Sequence, residues 1–141
     1  MSREVNWKTS VHFEHHIRVR YGDCDMQRVV FNANYLAYCD DAVDVWVRTA
    51  LGGNLEEFDF DFMLKKMELT WHRGAQFGEE VTLRISITRW GNTSFDVMIN
   101  GLVGNEACFD AAVVYVSTTP GAATSTPIPA VVREKLQPFF N

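Results

Sequence analysis

Regular patterning begins with an alternation of apolar and polar residues over residues 12–21. One face of this segment would carry Phe13, His15, Ile17, Val19 and Tyr21, and the other His12, Glu14, His16, Arg18 and Arg20. A period of two is typical of a strand with one buried side. The pattern therefore predicts a first strand that runs into the sequence GDCD.

The period changes after this strand. Apolar and aromatic residues recur at steps of three and four between Asn34 and Ala50, namely Tyr35, Tyr38, Ala42, Val45, Trp46 and Thr49. Such spacing marks one face of an amphipathic helix. Asn32 or Asn34 is expected to be its N-cap, and Gly52-Gly53 supplies a residue that can turn left-handed at its C-terminus.

The second half of the chain has the pattern of a sheet. Alternation predicts strands over residues 62–72, 81–90 and 94–103, and residues 106–117 are more continuously apolar, as in a central strand covered on both faces. Glycine and asparagine in the connections favour hairpins, so these segments should form an antiparallel meander.

The chain should close with a short amphipathic helix in residues 129–140. Pro129 suits its first turn, and Val131, Val132 and Leu136 would form its apolar side. The order of strand, long helix and four strands predicts an α+β fold in which a curved antiparallel sheet covers one long helix. A length of 141 residues fits a single domain spanning residues 1–141.

The charge and the hydropathy of the chain exclude some classes of protein. The formal net charge is −5 and lysine and arginine form no block, so the sequence lacks the electrostatic footprint of a nucleic-acid-binding protein. The opening MSREVNWKTS lacks the apolar segment of a signal peptide, and no stretch reaches the ~18 apolar residues of a membrane span. A cytoplasmic protein without a membrane span is expected.

The residues that commonly bind metals are poorly placed for a site. Cys24, Cys39 and Cys108 are odd in number, widely spaced and free of any CxxC pattern, which argues against both a disulfide framework and a zinc site. His12 and His16 share a strand face, but no carboxylate or cysteine is placed to complete a ligand set. We therefore predict no metal and three reduced thiols.

The sequence YGDCDMQRVVFNANY, residues 21–35, carries the candidate chemistry. Two acids at a strand end most often form a turn in which they accept local backbone N–H bonds. The same arrangement beside the free N–H groups of a helix start would also suit acyl transfer from a thioester, whose thiol has an ordinary pKa of about 8.5 and leaves readily. A carboxylate would act as nucleophile or base while the N–H groups stabilise the oxyanion. The residues alone leave both interpretations open.

This segment also resembles a known family. YGDCD at residues 21–25, then VVFNANY at residues 29–35 and a long helix, is similar to the signature of hotdog-fold acyl-CoA thioesterases of the 4-hydroxybenzoyl-CoA thioesterase type. The resemblance covers about residues 12–136. It implies a hotdog fold, a homodimer that could pair further into a tetramer, and active sites at the protomer interface. It implies hydrolysis of an acyl-CoA or acyl-carrier-protein thioester, with coenzyme A as part of the substrate and no separate cofactor.

Roles for individual residues follow from the resemblance. The catalytic carboxylate would be Asp25, as nucleophile or general base, and the backbone N–H of Asn32 would polarise the thioester carbonyl. Asp23 would anchor the turn. Substrate-binding residues are expected to be Arg28, Asn34, Tyr35, Arg89 and Ser94.

The chain departs from its relatives at two places. Met26-Gln27-Arg28 stands where related sequences usually have a small residue and glycine, and Gly91-Asn92-Thr93 stands where the 4-hydroxybenzoyl-CoA enzyme has a basic cluster that meets CoA phosphates. The altered turn leaves a second interpretation open, a non-catalytic hotdog dimer that binds acyl thioesters as a sensor or carrier partner.

Overall fold

The computed structural model describes residues 12–141, so the N-terminal segment considered for a signal peptide lies outside the described residues. Its strands and helices, in chain order, are β1 Phe13–Arg18, α1 Asn34–Leu51, β2 Asp61–Trp71, β3 Glu80–Trp90, β4 Ser94–Val103, β5 Glu106–Thr118 and α2 Ala130–Leu136. Single 3₁₀ turns occupy Tyr21–Asp23, Leu55–Phe58 and Gln137–Phe139. Over residues 12–141, neither helix has the length and hydropathy needed to cross a membrane.

The strands form one antiparallel sheet in the order β1-β3-β4-β5-β2. The β3-β4-β5 part of the predicted meander is confirmed, but the expected hairpin between β2 and β3 is wrong, because β2 pairs with β5 at the edge of the sheet. Helix α1 lies against one face of the sheet, which confirms the predicted α+β hotdog arrangement. Because β1 and β2 are at the edges of the sheet, each has an outer side that no described strand pairs with.

The core lies between α1 and the inner face of the sheet. Helix α1 contributes a buried stripe consisting of Tyr35, Tyr38, Cys39, Ala42, Val43, Trp46, Val47 and Leu51. Alternate residues of the inner strands face it, including Leu83, Ile85, Ile87, Phe95, Val97, Ile99, Phe109, Ala111 and Val113. Burying each of these large apolar side chains stabilises the folded state by roughly 1.5–3 kcal/mol. The predicted helical face was partly wrong, since Thr49 is exposed and the stripe runs through Val43 and Val47.

Three exposures differ from the sequence predictions. Tyr21 is 83% exposed because the first strand ends at Arg18 and a 3₁₀ turn follows. Val131 is 41% exposed because α2 buries only the side that holds Val132. On β5, Ala112 is exposed on the outer face, so this central strand is not fully covered on both faces.

The start of α1 also differs from the prediction. The N-cap residue is Ala33, which already has helical backbone angles, and no side chain of the described residues caps the helix. Asn34 is the first helical residue, and its side-chain amide donates to the Asp23 carbonyl oxygen at 2.8 Å. The Asn34 side chain, which was expected to cap the helix, therefore forms a tertiary hydrogen bond instead. The C-terminal prediction is confirmed, since Gly52 is left-handed with φ 74°.

Asp23 joins the β1–α1 loop to the helix. Its Oδ2 accepts the Tyr38 hydroxyl at 2.8 Å and the Arg20 N–H at 3.0 Å, and its carbonyl oxygen accepts the Phe31 N–H at 2.9 Å. Burial alone would raise the pKa of Asp23, but these two hydrogen bonds to its carboxylate and the charge of Arg20 outweigh burial and hold the pKa below its usual value. Asp23 thus anchors the turn, as expected.

Replacing Tyr38 by Phe tests this anchor through its pH dependence. Because the folded pKa of Asp23 is depressed, its stabilisation is complete above the unfolded pKa of about 4 and is lost as pH falls through the folded pKa. We expect Tyr38→Phe to lower the free energy of unfolding by about 1–2 kcal/mol at pH 7, and by less as pH falls below 4. Urea unfolding between pH 7 and pH 3 measures the difference.

Tyr35→Phe is the matched control. The Tyr35 hydroxyl accepts the Ala75 N–H at 3.0 Å and makes no hydrogen bond to a carboxylate of the described residues, so its loss should destabilise the protein equally across this pH range. A Tyr38→Phe penalty that is equally independent of pH would contradict the proposed role of ionised Asp23.

Candidate active site

Asp25 is presented at the start of a tight hairpin. Cys24 and Val30 form an antiparallel bridge, the Asp25 N–H donates to the Val29 carbonyl oxygen at 2.9 Å, and the Arg28 N–H donates back to the Asp25 carbonyl oxygen at 3.0 Å. The loop therefore has a defined conformation, and the position of Asp25 is set by backbone hydrogen bonds.

One oxygen of the Asp25 carboxylate is held and the other is available. Oδ1 accepts the Gln27 N–H at 2.8 Å. Within residues 12–141, no donor contacts Oδ2 and no basic side chain forms an ion pair with Asp25. A half-buried carboxylate with one unengaged oxygen is suited to attack a carbonyl or to accept a proton from water.

Asp25 opens onto a surface cavity of about 600 Å³. Its walls are formed by Tyr21, Cys24, Asp25, Met26, Arg28 and Phe77. Met26 is fully exposed and Phe77 is 57% exposed, and the rings of Tyr21 and Phe77 meet edge to face with centroids 6.1 Å apart. Exposed apolar side chains grouped beside a carboxylate are typical of a ligand site.

A second loop, residues 72–79, brings Phe77 to this cavity. The Val30 N–H donates to the Ala75 carbonyl oxygen at 2.9 Å, and Val29 bridges Gln76, so the loop lies against the Asp25 hairpin. Arg73 and Glu79 close the loop with two hydrogen bonds of 2.8 and 2.9 Å. Phe77 was not predicted as a site residue. A large apolar residue inside the turn HRGAQFGEE is unusual, and this feature of the sequence could have indicated it.

The start of α1 offers unpaired backbone donors. The N–H groups of Asn34, Tyr35 and Leu36 are already bonded to preceding carbonyls, whereas those of Asn32 and Ala33 meet no acceptor in the described part of the chain. Both residues are exposed. Free N–H groups at the positive end of an 18-residue helix favour a negatively charged oxygen.

Two predicted substrate-binding residues mainly support the site. The Asn34 side chain is bonded to the Asp23 carbonyl oxygen. Tyr35 is only 1% exposed, and burial raises the pKa of its hydroxyl, which accepts the Ala75 N–H and so holds the second loop on the helix. Direct contact of either residue with a substrate stays a prediction.

Arg89 and Ser94 lie at the far end of the sheet. Asp25 is beside the start of β3, where Val19 pairs with Glu79, and Arg89 is near the end of β3, roughly 30 Å further along the strand at ~3.3 Å per residue. The Arg89 guanidinium makes two 3.0 Å hydrogen bonds to Asp96, which raise its pKa, and a third to Ser94 Oγ. One protomer therefore brings Arg28 to Asp25 but not Arg89 or Ser94, whose substrate roles stay predictions.

The described residues do not form a set of ligands for a metal ion. Among residues 12–141, no group of three or more histidine, cysteine, aspartate or glutamate side chains is placed to hold a metal ion. Cys39 and Cys108 are buried, and burial raises the pKa of both thiols, that of Cys39 to about 12.

Solved structures share this fold at low sequence identity. A thioesterase superfamily protein from Jannaschia sp. CCS1 matches with a TM-score of 0.86 and 22% identity, over 92% of this chain and 94% of that one. A 1,4-dihydroxy-2-naphthoyl-CoA thioesterase from Synechocystis matches with a TM-score of 0.78 and 17% identity, over 89% and 96%. YbaW, a probable thioesterase from Escherichia coli, matches with a TM-score of 0.76 and 18% identity, over 92% and 100%.

The sequence itself identifies the family. No curated protein matches the chain at a significant level of similarity. The sequence profile of the Thioesterase-like superfamily matches residues 19–136, which include the Asp25 hairpin, α1 and β2–β5. The chain therefore belongs to the Thioesterase-like superfamily.

Proposed function

We propose that this protein hydrolyses an acyl-CoA or acyl-carrier-protein thioester to a free acid and a thiol, with Asp25 as the catalytic carboxylate. The observation that carries the proposal is the unengaged Oδ2 of Asp25 at the wall of a partly apolar cavity. The names of structurally similar proteins, which include a gentisyl-coenzyme A thioesterase at 24% identity, support the same reaction class.

Asp25 has two routes to the products. As a nucleophile, Oδ2 would form a bond to the thioester carbon, the thiolate would leave, and water would hydrolyse the resulting anhydride. As a general base, Oδ2 would take a proton from water, the water oxygen would bond to the same carbon, and the C–S bond would break to release the thiolate. Both routes place negative charge on the carbonyl oxygen, which the free N–H groups of Asn32 and Ala33 would stabilise.

We further propose that the active protein is a homodimer joined through β2. This edge strand is 11 residues long, and three of its large apolar side chains are exposed, Met63 by 50%, Leu64 by 42% and Trp71 by 45%. Pairing two such edges would satisfy their backbone groups and cover these side chains. Substrate contacts from Arg89 or Ser94 would need a second protomer or the far end of a long carrier.

Replacing Asp25 by Asn tests the catalytic proposal. The substitution preserves size and removes both the charge and the basic oxygen, so kcat for thiol release should fall by about 10²–10⁴-fold. A colorimetric thiol assay on short, long and aromatic acyl-CoAs measures the loss and identifies the acyl class.

Asp44→Asn is the matched control, because Asp44 is an exposed helix residue whose one ion-pair partner among the described residues is Arg48, and it should retain activity. If wild-type protein releases no thiol from any acyl-CoA or acyl-carrier protein yet binds one tightly, the chain is a binding module and the catalytic proposal fails.

Replacing Leu64 by Arg tests the dimer. A cation at the paired edge would be buried without a partner, so the molar mass measured by light scattering should fall from twice to once the 16.1 kDa of the chain. Val131→Arg is the control, since Val131 is exposed to nearly the same extent but lies on α2. A wild-type molar mass of 16.1 kDa, or a Leu64→Arg protein that remains dimeric, would contradict the proposed interface.

A further inference from the structure

Arg28 has a backbone conformation that is unfavourable for its residue type. Its φ is +65°, in the left-handed region that glycine adopts freely. Among residues 12–141 the other non-glycine residue with positive φ is Asp59, a residue type that tolerates this region better. A strained residue beside a candidate catalytic group suggests a function for its side chain.

The Arg28 side chain has no partner among residues 12–141. Its guanidinium makes no hydrogen bond and no ion pair with any described residue, whereas those of Arg48, Arg73 and Arg89 each pair with a carboxylate at 2.8–3.0 Å. Arg28 does line the cavity that Asp25 lines. The side chain thus contributes a free cation to this cavity without visibly stabilising the fold.

The position of Arg28 indicates which part of a thioester it would meet. It is three residues from Asp25, and a backbone hydrogen bond of 3.0 Å closes the turn between them. The pantetheine arm that follows the sulfur is uncharged along its length, so the carrier phosphates lie far from the carbon that Asp25 attacks. A negative charge close to that carbon would therefore belong to the acyl group.

The cavity suits an acyl group that carries such a charge. Tyr21, Met26 and Phe77 provide apolar walls for a hydrocarbon or aromatic body. Asp25 would repel a second carboxylate in the same cavity, and Arg28 would offset that repulsion with a charge-assisted hydrogen bond.

We propose that Arg28 is a specificity-determining residue that selects acyl thioesters bearing a carboxylate on an apolar acyl body. This inference rests on the proposed thioesterase function. It assigns a role to the departure Met26-Gln27-Arg28, since Arg28 occupies the left-handed position of the turn and places a cation there.

Matched pairs of substrates test the selection. Adipyl-CoA is compared with hexanoyl-CoA, and 4-carboxybenzoyl-CoA with 4-methylbenzoyl-CoA, and the ratio of kcat/KM within each pair is the preference for the carboxylate. Wild-type protein should prefer the carboxylate, and Arg28→Gly, which suits the left-handed φ, should lower that preference by about 10–100-fold. Arg28→Lys should retain part of it, and Arg18→Gln, which removes an exposed charge from β1, should retain all of it.

Equilibrium binding separates this inference from the catalytic proposal. Calorimetric titration of adipyl-CoA and hexanoyl-CoA into Asp25→Asn, with and without Arg28→Gly, measures selection without turnover. Thiol release that persists in Asp25→Asn would reject the catalytic proposal, while the binding ratio still reports on Arg28.

Two outcomes would overturn the inference. One is equal kcat/KM and equal affinity for the charged and neutral members of each pair in the wild-type protein. The other is an Arg28→Gly effect that is the same for both members with CoA thioesters and disappears with the corresponding pantetheine thioesters, since Arg28 would then bind a carrier phosphate.

Discussion

The hydrogen bond between the Tyr38 hydroxyl and the Asp23 carboxylate is the interaction on which the candidate site depends. Tyr38 belongs to the buried face of α1, and Asp23 stands two residues before Asp25. The bond, together with the Asn34 amide on the Asp23 carbonyl oxygen, ties the Asp25 loop to the helix that the sheet encloses. The burial that stabilises the helix thereby also positions the carboxylate.

The same helix face holds the second wall of the cavity. Tyr35, three residues before Tyr38, accepts the Ala75 N–H and packs against Phe109 with ring centroids 5.3 Å apart. Its hydroxyl anchors the loop that carries Phe77. Two tyrosines on one face of α1 thus hold two loops that are distant in sequence, and the cavity forms where these loops meet.

Periodicity was sufficient to predict the elements of the fold because burial and secondary structure share the same repeats, but it did not predict that β2 pairs with β5. The long helix, the four later strands and the helix stop at Gly52 follow from spacing and glycine placement. The N-cap could not be predicted, because the Asn34 side chain bonds to the Asp23 carbonyl oxygen instead of to its own helix. The local sequence does not show that a residue distant in the fold will compete for such a side chain.

The candidate site was harder to predict from the sequence than the secondary structure was. Motif and resemblance pointed to Asp25 and to the departure at Arg28. Only the structure shows that Arg28 is left-handed and that its guanidinium has no partner among the described residues. Phe77 lies some fifty positions from Asp25 in the sequence and joins it through strand pairing. The sequence also did not show that Arg89 pairs with Asp96, because this pairing depends on the register of β3 and β4.

A crystal structure of the Asp25→Asn protein with an intact acyl-CoA tests the central claim most directly. The account predicts that the thioester carbon lies within reach of the side chain at position 25, with the carbonyl oxygen directed at the free N–H groups of Asn32 and Ala33. A thioester bound elsewhere, or with its carbonyl oxygen turned away from the start of α1, would contradict it.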